Sequence, residues 1–408
     1  MTMHKNKFFL TALALYVNYF VQGIQAIILS QNINSFADKW GTTTNTVMGV
    51  IAITGIGKVI VLLFSGMLSD RFGRKPIALI GMVGYILFFG GLMICTNVTF
   101  AYILAFTAGA ATSFLDGATY PALMEIYPDQ SSVASVIVKG FIAAAGLSPM
   151  FIAFLSTNGY WFGWSLVVPF VLVALNFVFM LTRKFPDETV KEVTESPVEE
   201  ETEFKEKPRY AIEGALLMAF AFFIFATFYL WQQTSTLYAM DVVGMSEVSA
   251  RGIMSLYSIG SILAVLFTSF IMAKGFKDVT VMVTYTFLSS VILGIVYVYP
   301  TQLTLTIGSF AVGFFAAGGV LQIGNAMLSQ FFPKGKGKNT SIYNVFMASG
   351  AYIVPVVTKA LMEIDFTKVL LLNVGVSTVC FILSAALAIR YRKVFGEKLI
   401  SGWKKVTQ

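Results

Sequence analysis

Twelve stretches of this chain are each long and apolar enough to cross the hydrocarbon core of a bilayer, which takes about 20 residues of helix. They lie near 8–32, 45–69, 76–95, 99–124, 131–156 and 161–182, and then near 210–238, 246–273, 279–299, 301–330, 339–362 and 366–390. Of the 408 residues 57% are apolar and 12% charged, about half the charged fraction of soluble domains, so water cannot solvate most of the surface. In lipid each unpaired backbone group costs several kcal/mol, which leaves helices or closed barrels as spanning structures. Uninterrupted runs of this length select helices. The expected fold is an all-α membrane protein with twelve transmembrane helices in two pseudo-symmetric six-helix bundles, 1–182 and 210–408, the second carrying a terminal tail.

Residues 183–209 join the bundles and hold Pro186, Pro197 and Pro208 with the acidic run Glu199, Glu200, Glu201 and Glu203. Such composition buries too little apolar surface to order itself, and predicts a solvated, mostly disordered tether. With the N-terminus placed in the cytoplasm, 22 of the 28 basic residues fall on the inner side, against Lys39, Lys359 and Lys368 outside. That asymmetry predicts a multi-pass protein of the cell membrane with both termini cytoplasmic. A weak internal repeat runs along the fourth and tenth spans. There Gly109, Ala122-Leu123-Met124-Glu125 and Pro128 are echoed about half a chain later by Gly313, Ala326-Met327-Leu328-Ser329 and Pro333. This suits duplicated architecture.

Several function classes fall away. Cys95 and Cys380 sit far apart inside apolar runs, forming neither a disulfide framework nor a metal-ligand spacing, and the single histidine, His4, is in the N-terminal tail. No metal, cofactor or enzymatic chemistry is expected. The net charge of +7 is scattered over short loops rather than gathered on one face, so the bilayer and not nucleic acid is the expected partner. Gln22, Gln25 and Gln31 interrupt the first apolar stretch, and no small-residue cleavage site follows a short core, so it reads as a span rather than a signal peptide. Gly55-Ile56-Gly57-Lys58 lies in mid-span, with Val59 after the lysine, and does not make a phosphate-binding loop.

After the second span the sequence reads Gly66-Met67-Leu68-Ser69-Asp70-Arg71-Phe72-Gly73-Arg74-Lys75. Gly66 and Gly73 permit a tight turn between closely packed helix ends, Asp70 can pair with a neighbouring helix terminus, and the basic residues hold the loop at an anionic leaflet. The segment resembles the G-x-L-x-D-R-x-G-R-K loop of the major facilitator superfamily at every defining position. The resemblance implies a secondary transporter working by alternating access, with Gly66, Asp70, Arg71, Gly73, Arg74 and Lys75 as a latch on one conformational state. Ala105 stands where many proton-driven members carry an arginine before Gly109. The glycine-proline signature of efflux members is absent between Gly140 and Pro149.

Ionisable groups at bilayer depth are costly and mark function. Lys58, Asp116, Lys139 and Arg251 qualify. Asp116 precedes Gly117-Ala118-Thr119-Tyr120-Pro121, which resembles the fourth span of fucose:proton-type sugar permeases, where the acid takes part in proton coupling. Asp116 with Lys139 is therefore the expected proton-coupling pair. The alternative, a structural ion pair with Lys139, is compatible if proton loading breaks it. Trp231-Gln232-Gln233-Thr234-Ser235-Thr236-Leu237-Tyr238 resembles the paired-glutamine segment of sugar porters. Amides and aromatics of this kind suit hydroxyls and sugar faces, and equally serve as glue between helices. The expected substrate-binding set is Gln22, Gln25, Lys58, Tyr120, Lys139, Gln232, Gln233, Tyr238, Gln322, Asn325 and Asn344. The cations admit a carboxylate or phosphate as well as a neutral solute.

The sequence thus predicts a monomeric secondary transporter, with proton-coupled uptake of a small polar organic solute such as a sugar or sugar acid. The alternatives are a proton-driven exporter of an amphipathic compound and a non-transporting membrane sensor.

Overall fold

A computed structural model describes residues 6–127, 131–186, 204–332 and 336–396. His4, the run Glu199 to Glu203, Pro128, Pro333 and Lys398, Lys404 and Lys405 lie outside the described residues. Two compact units divide the chain, Met1–Glu200 and Glu201–Gln408. Among the described residues twelve helices, six in each unit, are long and apolar enough to cross a membrane.

In the first unit, α1 (Phe9–Gln31), α3 (Thr44–Phe72), α4 (Arg74–Ile94), α5 (Val98–Ile126) and α8 (Trp164–Leu181) are single-helix spans. A short helix, α2 (Ile33–Trp40), intervenes after α1 and ends at Gly41, whose φ is +60°. It faces inward because Lys39 Nζ donates to the carbonyls of Leu92 and Met93 at 2.9 and 2.7 Å, capping the end of α4 where the helix dipole favours a cation. Trp40 Nε1 reaches the Cys95 carbonyl at 3.2 Å. Burial draws the Lys39 ammonium below the usual lysine range.

The fifth span, expected as one helix over 131–156, is two: α6 (Ser131–Ala145) and α7 (Ser148–Thr157). Pro149 stands in the first turn of α7, where its missing N–H costs nothing, and it cannot continue the preceding helix.

In the second unit a π turn, Tyr210–Gly214, leads into α9 (Ala215–Asp241). Then come α10 (Glu247–Ala273), α11 (Asp278–Val298), α12 (Gln302–Val312), α13 (Val320–Phe331), α14 (Lys336–Ile364) and α15 (Thr367–Phe395). The tenth span, expected to be continuous, is α12, a π turn over Gly313–Ala317 and α13. It breaks at Gly319, whose φ of +101° is open to glycine and strained for other residues.

Residues 204–209, expected to belong to a disordered tether, are docked on α15. Lys205 N donates to the Val394 carbonyl at 2.7 Å. Arg390 pairs with Glu206 at 3.0 Å and with the fully buried Glu213 at 2.5 Å. Glu213 also accepts the Arg209 backbone N–H at 2.7 Å. A buried carboxylate held by a forked guanidinium and an amide makes a fixed joint, since removing either partner would strand a charge.

In each unit two spans cross backbone to backbone at a pair of glycines. An added Cβ at Gly57 would lie 2.2 Å from the Phe106 carbonyl oxygen, and one at Gly109 would lie 1.9 Å from that of Thr54. In the second unit Gly260 meets the Phe310 carbonyl and Gly313 that of Tyr257, at 2.2 and 2.0 Å. Gly109 and Gly313, aligned by the sequence repeat, thus do the same thing in their own units: they let two spans touch backbone to backbone. Gly109→Ala is expected to lower the apparent melting temperature in detergent by about 5 °C, the scale of an overpacked core. Gly294→Ala, with open space at its Cβ, is expected to leave it unchanged or raise it slightly, and thermal unfolding of the two variants compares them directly.

Candidate functional site

The α3–α5 crossing brings a lysine to a carboxylate. Lys58 follows Gly57 on α3, and Asp116 lies two turns beyond Gly109 on α5. Their side chains meet with Lys58 Nζ 3.7 Å from Asp116 Oδ2, each about a fifth exposed. Ser113 Oγ donates to the Lys58 carbonyl at 2.6 Å and pins the two helices one turn away. From α1 the fully buried Tyr19 donates its hydroxyl to Asp116 Oδ1 at 2.8 Å. Tyr120 lies edge-on to Tyr19, with ring centroids 5.7 Å apart. From α4, Tyr85 bonds Thr112 of α5 at 2.9 Å.

The expected partner of Asp116 was Lys139. The structure corrects this: Lys58 holds the carboxylate. Lys139 of α6 is partly buried and within reach of the field of Asp116, but among the described residues no carboxylate stands at ion-pair distance from it. The sequence could not separate the two lysines, because helix rotation about each axis decides which ammonium points at α5. Arg251, the fifth residue of α10, pairs with Glu247, four residues earlier, at 2.7 Å, so its charge is compensated within its own helix.

Gln22 stands one turn after Tyr19 on the same face of α1 and is partly buried with Oε1 unpartnered, while Gln25 is buried. α1 rests on α6 through Gly23, whose added Cβ would meet Ala145 and the Ile142 carbonyl. The first unit therefore gathers Tyr19, Lys58, Asp116 and Tyr120 into one cluster, with Gln22, Gln25 and Lys139 on the two helices beside it.

In the second unit Trp231, Thr234, Ser235 and Tyr238 line a narrow pocket together with Asn373 of α15 and apolar side chains of α11, α12 and α15. Trp231 Nε1 donates to Ser309 Oγ at 2.9 Å. Gln232, partly buried, and Gln233, buried, belong to the same segment of α9 but do not line that pocket. Gln322 is exposed, and Asn325 and Asn344 are partly buried. None of these three joins the pocket either.

The loop motif is more tightly built than a turn. Gly73 supplies the turn, with φ of +97°. Gly66 does not: it lies inside α3, its backbone against Gly117 of α5. Arg74 donates to Asp70 at 2.5 Å, to Ser69 at 3.1 Å and to Glu125 at 3.0 Å, so it fastens the end of α3 to the end of α5. Lys75 Nζ donates to the carbonyls of Leu181 and Arg183 at 2.7 and 2.8 Å, closing the end of α8. Arg71 is exposed and stacks on Phe72. The second unit has the counterpart of the α5 contact, with Asp278 at the start of α11 accepting from Gln330 at the end of α13 at 2.7 Å.

Sequence reasoning missed Tyr19, Ser113, Glu125 and the joint of Glu213 with Arg390. The repeat held a signal for Glu125, which aligns with the Ser329-Gln330 end of span ten. Tyr19 left only its spacing from Gln22. Removing the Tyr19 hydroxyl tests the cluster: Tyr19→Phe is expected to cost about 1.5 kcal/mol, as for a hydrogen bond to a charged group. The loss should shrink markedly in an Asp116→Asn background, a coupling that a double-mutant cycle on thermal stability measures.

The family model described as Major Facilitator Superfamily matches residues 9–274 and 237–407. The Escherichia coli inner membrane transport proteins YdiN and YdiM are each 35% identical to this chain. YdiN aligns over 95% of the chain and 92% of its own length, and YdiM over 95% and 96%. The Bacillus subtilis MFS-type transporter YfkL is 30% identical over 95% of the chain and 98% of its own length. Among solved structures, the nucleoside transporter NupG superposes with a TM-score of 0.72 at 15% identity, covering 92% of this chain and 99% of its own. The D-xylose-proton symporter superposes with a TM-score of 0.70 at 14% identity, covering 92% and 97%. With its twelve spans, its loop motif and relatives matching nearly end to end, this chain belongs to the major facilitator superfamily of membrane transporters.

Proposed function

We propose that this transporter moves a small polar organic solute together with protons by alternating access, and that Asp116 is the group that carries the proton. The observation behind this reading is the Lys58–Asp116–Tyr19 cluster within the spans of the first unit. A carboxylate at that depth is costly unless paired, and its partners here are of two kinds. Tyr19 can remain hydrogen-bonded to either protonation state, because a hydroxyl both donates and accepts. Lys58 is bound by charge alone, at 3.7 Å. Proton loading of Asp116 therefore leaves the tyrosine contact in place and releases the lysine. A fifth of each side chain is exposed, so water can deliver the proton.

Release of Lys58 gives the two protonation states different packing between α3 and α5, which is what a coupled conformational cycle needs. The loop that follows α3 is fastened by Arg74 to α5 and by Lys75 to α8, and acts as the latch on one of those states. In the inferred orientation both termini face the cytoplasm, and a proton gradient directed into the cell drives the solute inward. The D-xylose-proton symporter, similar in fold, is by its name a transporter of this kind.

The reading is tested in proteoliposomes with Asp116→Asn. Accumulation of solute driven by a pH gradient is expected to fall to background, while exchange across equal solute concentrations continues at near the wild-type rate. Full gradient-driven accumulation by the variant would remove Asp116 from the coupling role.

A further inference from the structure

We infer that the solute is an organic monocarboxylate, anchored by Lys139, and that protonation of Asp116 raises the affinity for it; this rests on Asp116 as the proton carrier. The titratable groups around Asp116 are Tyr19 of α1, bonded to it, Lys58 of α3 at 3.7 Å, Tyr85 of α4, bonded to Thr112 one turn before it, Tyr120 one turn after it and edge-on to Tyr19, and Lys139 of α6, whose charge feels that of Asp116. The tyrosines are neutral. Lys58 and Asp116 cancel as a pair. Lys139 remains, a partly buried ammonium with no carboxylate at ion-pair distance among the described residues.

An uncompensated ammonium among packed helices is costly, and a bound anion removes that cost. When Asp116 takes a proton from the aqueous phase, its negative charge disappears and Lys58 is freed, so the cluster changes from one excess positive charge to two. The anion is then held more strongly. By linkage, the bound anion favours protonation of Asp116 to the same degree. Proton and monoanion enter together with no net charge moved, and release of one on the other side weakens the hold on the other. This supplies coupling without any direct contact between proton and solute.

The chemistry of the cluster also narrows the anion. Bidentate grip on a carboxylate or phosphate uses the forked guanidinium of arginine, whereas lysine acts as a point charge. Among the described residues Arg71, Arg74, Arg251 and Arg390 stand towards helix ends, held by carboxylates or stacked on a ring, Arg183 stacks on Phe179, and Arg209 and Arg392 are exposed. With Asp116 ionised Lys58 is compensated, and the single charge left on Lys139 matches one carboxylate. Gln22, with an unpartnered Oε1, and Gln25 on α1 offer amides to hydroxyls on the body of such a solute.

The experiment is ligand-induced thermal stabilisation of the purified full-length protein at about pH 5.5 and about pH 8. The probes are matched pairs: gluconate with glucitol, lactate with propanediol, and benzoate with benzyl alcohol, with succinate as the dianion. The expected result is stabilisation by at least one monocarboxylate and not by its neutral counterpart, with affinity about tenfold higher at the lower pH. Lys139→Gln should weaken that binding about tenfold or more, and Lys139→Arg should restore most of it. Asp116→Asn should bind at the higher pH as the wild type does at the lower.

Equal stabilisation by a neutral counterpart, preference for succinate, no stabilisation by any monocarboxylate of the set, or unchanged binding in Lys139→Gln would each overturn the proposal. Monocarboxylate binding that needs Lys139 but keeps its pH dependence in Asp116→Asn would overturn Asp116 as proton carrier and leave the anion site standing.

Discussion

Two helices in hydrocarbon gain little from burying apolar side chains against each other, since lipid is as apolar as they are, and the closest approaches are made where side chains are missing. The backbone contact of α3 with α5 is such an approach, made at Gly57 and Gly109. The chemistry of the first unit depends on it. Lys58 is the residue after Gly57, and at this separation its ammonium stands 3.7 Å from Asp116. Ser113 and Gly117, on the same face of α5, extend the contact to Lys58 and Ser65. A bulkier residue at the crossing would therefore loosen packing and part the charge pair at once.

Two ionic clusters show how partner geometry divides structural from mechanistic roles. Glu213 is wholly buried and held by Arg390 at 2.5 Å and by a backbone amide. Arg390 extends the same joint to Glu206, so that residues 204–209 ride on α15. Both carboxylate oxygens of Glu213 have a close donor, and the arrangement resists change. Asp116 has one close donor, Tyr19, and one longer ionic partner, with water able to reach both charges. The first geometry suits a joint that must not move; the second suits a charge that comes and goes.

Much of the fold was legible because lipid enforces it: length and apolarity alone place twelve spans, and the repeat of Gly109 with Gly313 anticipates matching crossings in the two units. The breaks in spans five and ten were signalled by Pro149 and by Gly318-Gly319, but each signal also fits a kinked continuous helix, and tertiary packing decides. The candidate site was legible in its residue types and not in its pairings. Asp116 stands out as an acid in an apolar run. Its choice of Lys58 over Lys139, and the contribution of Tyr19 from α1, depend on helix rotation, which apolar helices with little amphipathic bias do not encode locally. For Arg251 the span edge was legible to within a residue, and the pairing with Glu247 was missed although the two stand four residues apart on one helix. Gly66 misled because the loop motif reads as a turn, although α3 continues through it to Phe72.

The claim on which the mechanism turns is that Asp116 exchanges a proton as Lys58 lets go. Infrared difference spectroscopy on the reconstituted protein, recorded as the pH is lowered, reports the carbonyl stretch of a newly protonated carboxyl group directly. A band is expected to appear in the wild type, to vanish in Asp116→Asn, and to arise at higher pH in Lys58→Gln, where the ionised form has lost its charge partner. A spectrum in which Asp116→Asn retains the band would contradict the account and place the titrating carboxyl elsewhere.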